Sequence, residues 1–290
     1  MNAQQALQST DARTRALAGL PVVERRLELA SISTTVLEGG TGTPMVLLHG
    51  PGAHAAKWMR VIPDLVRTCR IVAPDLPGHG STEVGGGSLD VERVLAWLAQ
   101  LIERTCARPP VLVGHIIGGA VAARFASRRG ESIRHLVLAD ALGLAPFQPA
   151  PEFGRVLMEY VMQPAGETHD RLWQRCAFDL DHLRDGMGEQ WDLLRAYNLD
   201  RAGMPSLQEV QQELMAQFGM PAIPEAELAG ISVPTTLVWG RHDLATSLSV
   251  AEAASRRYGW PLHVIEDAAN DPAIEQPDAL VKVLRAVCEQ

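Results

Sequence analysis

The chain has 290 residues, with 26 Lys and Arg against 34 Asp and Glu, for a formal net charge of −8. That length holds one large core with an insertion, and the acidic balance argues against nucleic acid or an anionic membrane as partner. Hydrophobic residues make up 47% of the chain, yet no apolar run approaches the ~18 residues a bilayer span needs.

Residues 1–20 carry no strong apolar stripe and read as a frayed or helical leader. They lack a basic head followed by an apolar stretch, so no secretory signal and a cytoplasmic location are expected. Arg25–Ala30 and Ser33–Leu37 alternate as two opening antiparallel strands. Short apolar runs follow at Met45–Leu48, Cys69–Ala73, Val111–Val113, Leu136–Ala139, Thr236–Trp239 and His263–Ile265. Helical stretches, among them Asp90–Glu103 behind the bend Val84–Ser88, separate most of these runs. This is the βαβ pattern of a mostly parallel sheet buried on both faces. Residues 146–228 show no strand pattern. There Glu152–Met162, Glu167–Asp185, Glu189–Tyr197 and Leu207–Phe218 read as helices parted by Gly and Pro.

The most informative segment is Val111-Leu-Val-Gly-His-Ile-Ile-Gly-Gly-Ala120. An apolar strand runs into a glycine-rich turn and then a small-residue helix. This is the outline of a nucleophile elbow, whose middle residue sits on a strained, exposed knuckle. Four further motifs accompany it: Met45-Val-Leu-Leu-His-Gly-Pro-Gly52, Val72-Ala-Pro-Asp-Leu-Pro-Gly-His-Gly-Ser-Thr82, Thr236-Leu-Val-Trp-Gly-Arg-His-Asp243, and the loop from His263 to Pro277. Taken together in this order they resemble the α/β-hydrolase superfamily over nearly all of residues 24–288. The resemblance implies an α/β fold, a mostly parallel sheet with helices on both faces. It implies a core domain from residues 1–145 and 229–290 and a helical cap at 146–228. It also implies an oxyanion loop at Gly50, Pro51 and Gly52, a triad acid at Asp243, and a triad histidine position in the loop after His263.

The chemistry of that family needs a hydroxyl, an imidazole, a carboxylate and two backbone N–H groups. By this resemblance Ile116 stands at the hydroxyl position and offers no proton, lone pair or charge. Asn270 stands at the histidine position, and an amide cannot act as a base near neutrality. Ile117 retains its N–H, but Pro51 has none; Gly52 supplies the second donor only if the loop is shifted. Losing nucleophile or base costs ~10⁶ in turnover, so hydrolysis through a serine ester is not expected. Asp140, at the end of a strand beneath the cap, and His54, shortly after the His-Gly loop, are the other polar groups within reach; for each, a purely local role is an equal alternative. His115, His49 and His79 read as structural, and His242 as solvent-facing. From the cap, Trp173 is expected against substrate. His169, Asp170 and Arg175 on its helix, and Asp181 and His182 nearby, suit a solvated face better. Glu275, Asp278 and Lys282 look like surface charge.

Cys69, Cys106, Cys176 and Cys288 are widely scattered and read as free thiols. No metal spacing or phosphate loop is present, because Gly85-Gly86-Gly87 lacks the lysine and the helix start; no metal and no cofactor is expected. Three readings of function remain open. The first is an enzyme acting on a small, largely apolar molecule without a covalent serine intermediate, by proton transfer, elimination, cyclisation or cofactor-free oxygen chemistry. The second is a pseudoenzyme that binds a ligand or a protein. The third is a hydrolase altered in the laboratory, against which stand the bulk of isoleucine and the additional proline. The first is favoured, with a small molecule as partner, no nucleic acid, no membrane, and a homodimer left open.

Overall fold

The computed structural model describes residues 13–289. Among the described residues nine strands form one sheet: β1 (Val23–Leu29), β2 (Ile32–Gly39), β3 (Thr43–Leu48), β4 (Cys69–Pro74), β5 (Glu83–Val84), β6 (Val111–His115), β7 (His135–Ala139), β8 (Thr235–Gly240) and β9 (Leu262–Ile265). The path runs β1-β2-β4-β3-β6-β7-β8-β9, with β5 paired to β2. From β4 to β9 every neighbour is parallel, while β1, β2 and β5 are antiparallel additions. The β1–β2 hairpin turns through Ala30 and Ser31, both at positive φ. That pair suits the twist of a two-residue hairpin.

Side chains alternate across the sheet with period two. Val46, Leu48 and Leu112 join one core with Trp97 and Leu98 of α1 (Val91–Thr105) and Phe125 of α2 (Ile117–Arg129). Met45, Leu47, Val111 and Val113 join the other, with Leu280 and Leu284 of α9 (Pro277–Glu289). Both faces are therefore covered, which is why the inner strands read as apolar runs rather than alternating ones. A further helix, α8 (Leu248–Tyr258), lies between β8 and β9.

Between β7 and β8 the chain is helical: α3 (Pro151–Met162), α4 (Gly166–Cys176), α5 (Leu180–Met187), α6 (Glu189–Ala202) and α7 (Pro205–Leu214). These helices build their own apolar cluster around Phe153, Leu172, Trp173, Leu183 and Trp191, which also takes in Met59, Ala245 and Ile274 from the sheet's loops. Two expectations need correction here. The single helix expected at Glu167–Asp185 is broken after Cys176, because Asp179 caps a new helix by accepting from the N–H of His182 at 3.0 Å. The helix expected through Phe218 ends at Leu214 and closes in a wider turn over Met215–Gly219. In the leader, residues 13–17 are helical; the expectation for residues 1–12 lies outside the described residues.

Candidate functional site

The turn between β6 and α2 is set by close backbone approach. A Cβ at Gly114 would lie 2.4 Å from the carbonyl oxygen of Gly118, and one at Gly118 would lie 2.5 Å from that of Leu48. One at Gly119 would meet Ala141 at 2.4 Å. No side chain fits at these three positions, so the strand and helix pack tightly enough to force the residue between them into an unusual conformation. Ile116 accordingly has φ 49° and ψ −108°. For a β-branched residue this is a strained backbone, of the kind held in place only by its surroundings, at ~1–3 kcal/mol. Its N–H donates to the carbonyl of Ala139 at 3.0 Å, and its own carbonyl accepts from Gly119, Ala120 and Leu142. The residue is 9% exposed, and its Cδ1 lies 3.4 Å from where a Cβ on Gly50 would sit. Ile117 opens α2, so its N–H is one of the unpaired donors at the helix's positive end.

The loop after β3 is fixed by His49. Its Nδ1 donates to the carbonyl of Gly50 at 2.7 Å, and its Nε2 accepts from the N–H of Leu76 at 2.9 Å. Burial holds this ring neutral, well below its ordinary pKa. Pro51 and Gly52 are exposed, with Gly52 at φ 66°. His54 is buried against Tyr197 of α6, with ring centroids 4.1 Å apart, and its Nδ1 lies 3.4 Å from Arg13. Arg13 in turn binds Asp75 at 3.1 Å and Glu24 at 2.7 Å. His54 thus belongs to a buried junction of leader, loop and insertion, and burial with the nearby Arg13 charge lowers its pKa.

Two carboxyl groups lie beneath the carboxyl ends of β7 and β8. Asp140, at φ 46°, accepts from the N–H of Gly240 at 2.9 Å through Oδ1, and its buried Oδ2 has no hydrogen-bond partner among the described residues. Asp243 accepts from the N–H groups of Ala245 at 2.7 Å and Thr246 at 3.1 Å, and from the Thr246 hydroxyl. Burial pushes Asp243 up to about 6. Asp140 is pushed well above the ordinary carboxylate range by burial first and by the Asp243 charge second. A low-dielectric site shared by two acids disfavours having both ionised.

Asn270 is buried in the loop after β9. Its N–H donates to the carbonyl of Cys176 at 3.2 Å, and its own carbonyl accepts from Nε2 of His115 at 2.7 Å. His115 therefore clamps the elbow to this loop through Nε2, and burial lowers its pKa. The next residue, Asp271, forms a buried ion pair with Lys57. The Lys57 ammonium also sits over the Trp173 ring, 4.4 Å from its centroid. Both partners are almost fully enclosed, at 6% and 2% exposure. Composition and motifs alone did not single out this pair. Its only sequence trace is an acid next to the histidine position and a lysine a few residues past the His-Gly loop.

Several further placements differ from expectation. Glu275 is no surface charge: its carboxylate accepts from the N–H groups of Ala269, Asp271 and Phe178, and burial pushes it up to about 7. Asp278 and Lys282 are exposed. His169 does not lie on a solvated face but packs beside Trp173 and Trp191, because α4 turns its 169/173 stripe inward. Asp170 is half-buried and pairs with Arg195 at 2.7 Å, while Arg175, Asp181 and His182 are exposed. His79 is buried, with its Nδ1 on the carbonyl of Pro77. His242 is exposed and stacks on Phe178.

A family model described as the alpha/beta hydrolase family matches residues 45–283. The chain belongs to that family. Among its relatives, 2-hydroxy-6-oxo-2,4-heptadienoate hydrolase of Pseudomonas putida is 37% identical over 278 residues, covering 90% of this chain and 95% of the relative. Pimeloyl-[acyl-carrier protein] methyl ester esterase of Aeromonas hydrophila is 27% identical, covering 87% and 98%. Among solved structures, carboxylesterase CesB from Bacillus subtilis superposes with a TM-score of 0.84 at 19% identity, covering 99% of this chain and all of that one. No helix among the described residues is long and apolar enough to cross a membrane.

Proposed function

We propose that this chain is a hydrolase-superfamily enzyme that acts on a small oxo acid or related apolar molecule without a covalent intermediate, by proton transfer at the carboxyl end of its sheet. The observation that carries this reading is Ile116 in the strained turn where the family's nucleophile belongs. A side chain without a heteroatom at that point forms no acyl-enzyme. Asn270 at the histidine position removes the base as well, and Pro51 removes one oxyanion donor. In this reading the helices of residues 146–228 form a cap, with Trp173, Gly50, Pro51, Gly52 and Ile117 bordering the substrate.

The substrate class is suggested by the relative named for 2-hydroxy-6-oxo-2,4-heptadienoate. Such a molecule carries an enol conjugated to a ketone, and moving its proton needs an acid–base group rather than a nucleophile. Asp243, pushed up to about 6, and Asp140, raised by its burial, are groups of the right kind. The second reading, a pseudoenzyme, is favoured by the near-complete burial of Ile116, Asp140, Asp243 and Asn270.

The test is incubation with 2-hydroxy-6-oxo-2,4-heptadienoate in deuterated water, followed by absorbance and product mass. An isomer of unchanged formula carrying solvent deuterium is expected. Fragments that have gained water would show hydrolysis, and labelling by a fluorophosphonate probe would show a hidden nucleophile; either result refutes the reading. Binding without turnover would establish the pseudoenzyme.

A further inference from the structure

At the opposite end of the sheet from Ile116, two cysteines separated by 219 positions meet. Cys69 is the first residue of β4, and Cys288 lies in the last turn of α9. Their sulfurs are 2.9 Å apart. A disulfide needs ~2.05 Å between sulfurs, so the two are within a small side-chain adjustment of bonding. Neither belongs to the functional site, and nothing in the proposed chemistry uses them. We propose that Cys69 and Cys288 are a redox pair that a hydroperoxide converts to an intramolecular disulfide, stapling the C-terminal helix to the sheet.

The environment divides the two roles. Cys69 is held down to about 7 by the hydrogen bond shared with Cys288, with help from the Thr68 hydroxyl and the Arg285 guanidinium. The same shared proton and burial push Cys288 up. The shared hydrogen bond thus favours Cys69 as the sulfur that ionises and Cys288 as the one that keeps its hydrogen, the arrangement of an attacking and a resolving cysteine. Arg285 is anchored one turn before Cys288 by its bond to the carbonyl of Asp64 at 2.7 Å. Cys288 is partly exposed, and helix ends fray by a residue or two, which gives a small peroxide a way in.

The Cys69 thiolate attacks the peroxide oxygen, the O–O bond breaks, and the leaving alkoxide takes a proton to depart as the alcohol. The Cys288 sulfur then displaces the hydroxyl of the Cys69 sulfenic acid, and its proton leaves with that hydroxyl as water. The two thiols lose two hydrogens in total, and the hydroperoxide is reduced to alcohol and water.

The whole protein treated with hydrogen peroxide is digested without reduction and mapped by mass spectrometry, with free thiols counted by alkylation. The expected result is one monomeric product, lighter by two hydrogens, with a Cys69–Cys288 cross-linked peptide and a melting temperature raised by several degrees, since the bond shortens the unfolded chain's reach. The rise should vanish in Cys288→Ser, in which a sulfenic-acid probe should instead label Cys69. Cys288 is partly exposed, so this variant keeps the fold testable where Cys69→Ser in the core would not. Four alkylatable thiols after treatment, a disulfide between two chains, or a sulfenic acid only at Cys288 would overturn the assignment.

Discussion

Replacing Lys57 by Met removes one half of the buried ion pair with Asp271 and the cation over Trp173, while keeping a long side chain in the space. The magnitude follows from burial. Lys57 and Asp271 have side chains 8% and 3% exposed, so water cannot stand in for the missing ammonium. Asp271 Oδ1 already lacks a hydrogen-bond partner among the described residues. Breaking one side of such a pair costs about 3–5 kcal/mol. At about 2 °C per kcal/mol for a large domain, the melting temperature should fall by roughly 6–10 °C at neutral pH. The loss carries a pH signature. Without its partner Asp271 is a buried acid with a raised folded pKa, which stabilises least when ionised, so the deficit should shrink as pH is lowered. The double variant Lys57→Met with Asp271→Leu should recover most of the loss, because no uncompensated charge remains. Urea and thermal denaturation of the wild type, the single variant and the double variant across pH would measure this. A single-variant cost below about 1 kcal/mol would place the pair in water, and the reasoning that this loop is locked onto the insertion would fail.

Three other outcomes follow from the site. Ile116→Ser with Asn270→His should produce slow hydrolysis of activated esters and labelling at residue 116 by a fluorophosphonate; the yield should be limited by Pro51, and replacing Pro51 by Gly should raise it further. No labelling in a folded double variant would mean that residues 116, 243 and 270 do not converge. Asp243→Asn should flatten the stability profile between about pH 4 and 6: the wild-type group has a raised folded pKa, so its ionisation costs stability as pH rises through that window, by up to ~3 kcal/mol in all. A profile identical to wild type in chemical denaturation would contradict the burial of that acid. Gly114→Ala should cost about 1–3 kcal/mol or more, since the added carbon meets backbone rather than a movable side chain; unchanged stability would show that the elbow is looser than its contacts indicate.

The fold was legible because its signals are backbone signals. Apolar runs bounded by glycine and proline mark strands buried on both faces, and Gly114, Gly118 and Gly119 specify an approach that no other residue permits. The insertion was legible as helical, but its internal break was not, since the cap at Asp179 depends on which way one side chain turns. The site was harder to read. Its dominant features are buried pairings between residues far apart in the chain, and composition treats a lysine, a glutamate or a histidine as surface until a partner is found. Lys57 with Asp271, Glu275 with three backbone N–H groups, and His169 between two tryptophans all went unseen or were misread for that reason.

The same distinction explains how, in the proposed reading, a catalytic outline can outlast its catalyst. The elbow's geometry is imposed by the neighbours of residue 116: three glycines, the carbonyl of Ala139 and the N–H of Leu142, none of which senses what side chain stands between them. His115 bonds the main-chain carbonyl of residue 270, and Cys176 accepts its main-chain N–H, so that loop is held whatever residue 270 carries. Nucleophile and base positions can therefore change identity at the cost of local strain at Ile116, ~1–3 kcal/mol, without loss of the scaffold. What such a change removes is chemistry that needs a heteroatom at residue 116. What it leaves is a helix N-terminus and two mutually repelling carboxyl groups at the carboxyl end of a rigid sheet. In the reading proposed above, those groups serve proton transfer rather than acyl transfer.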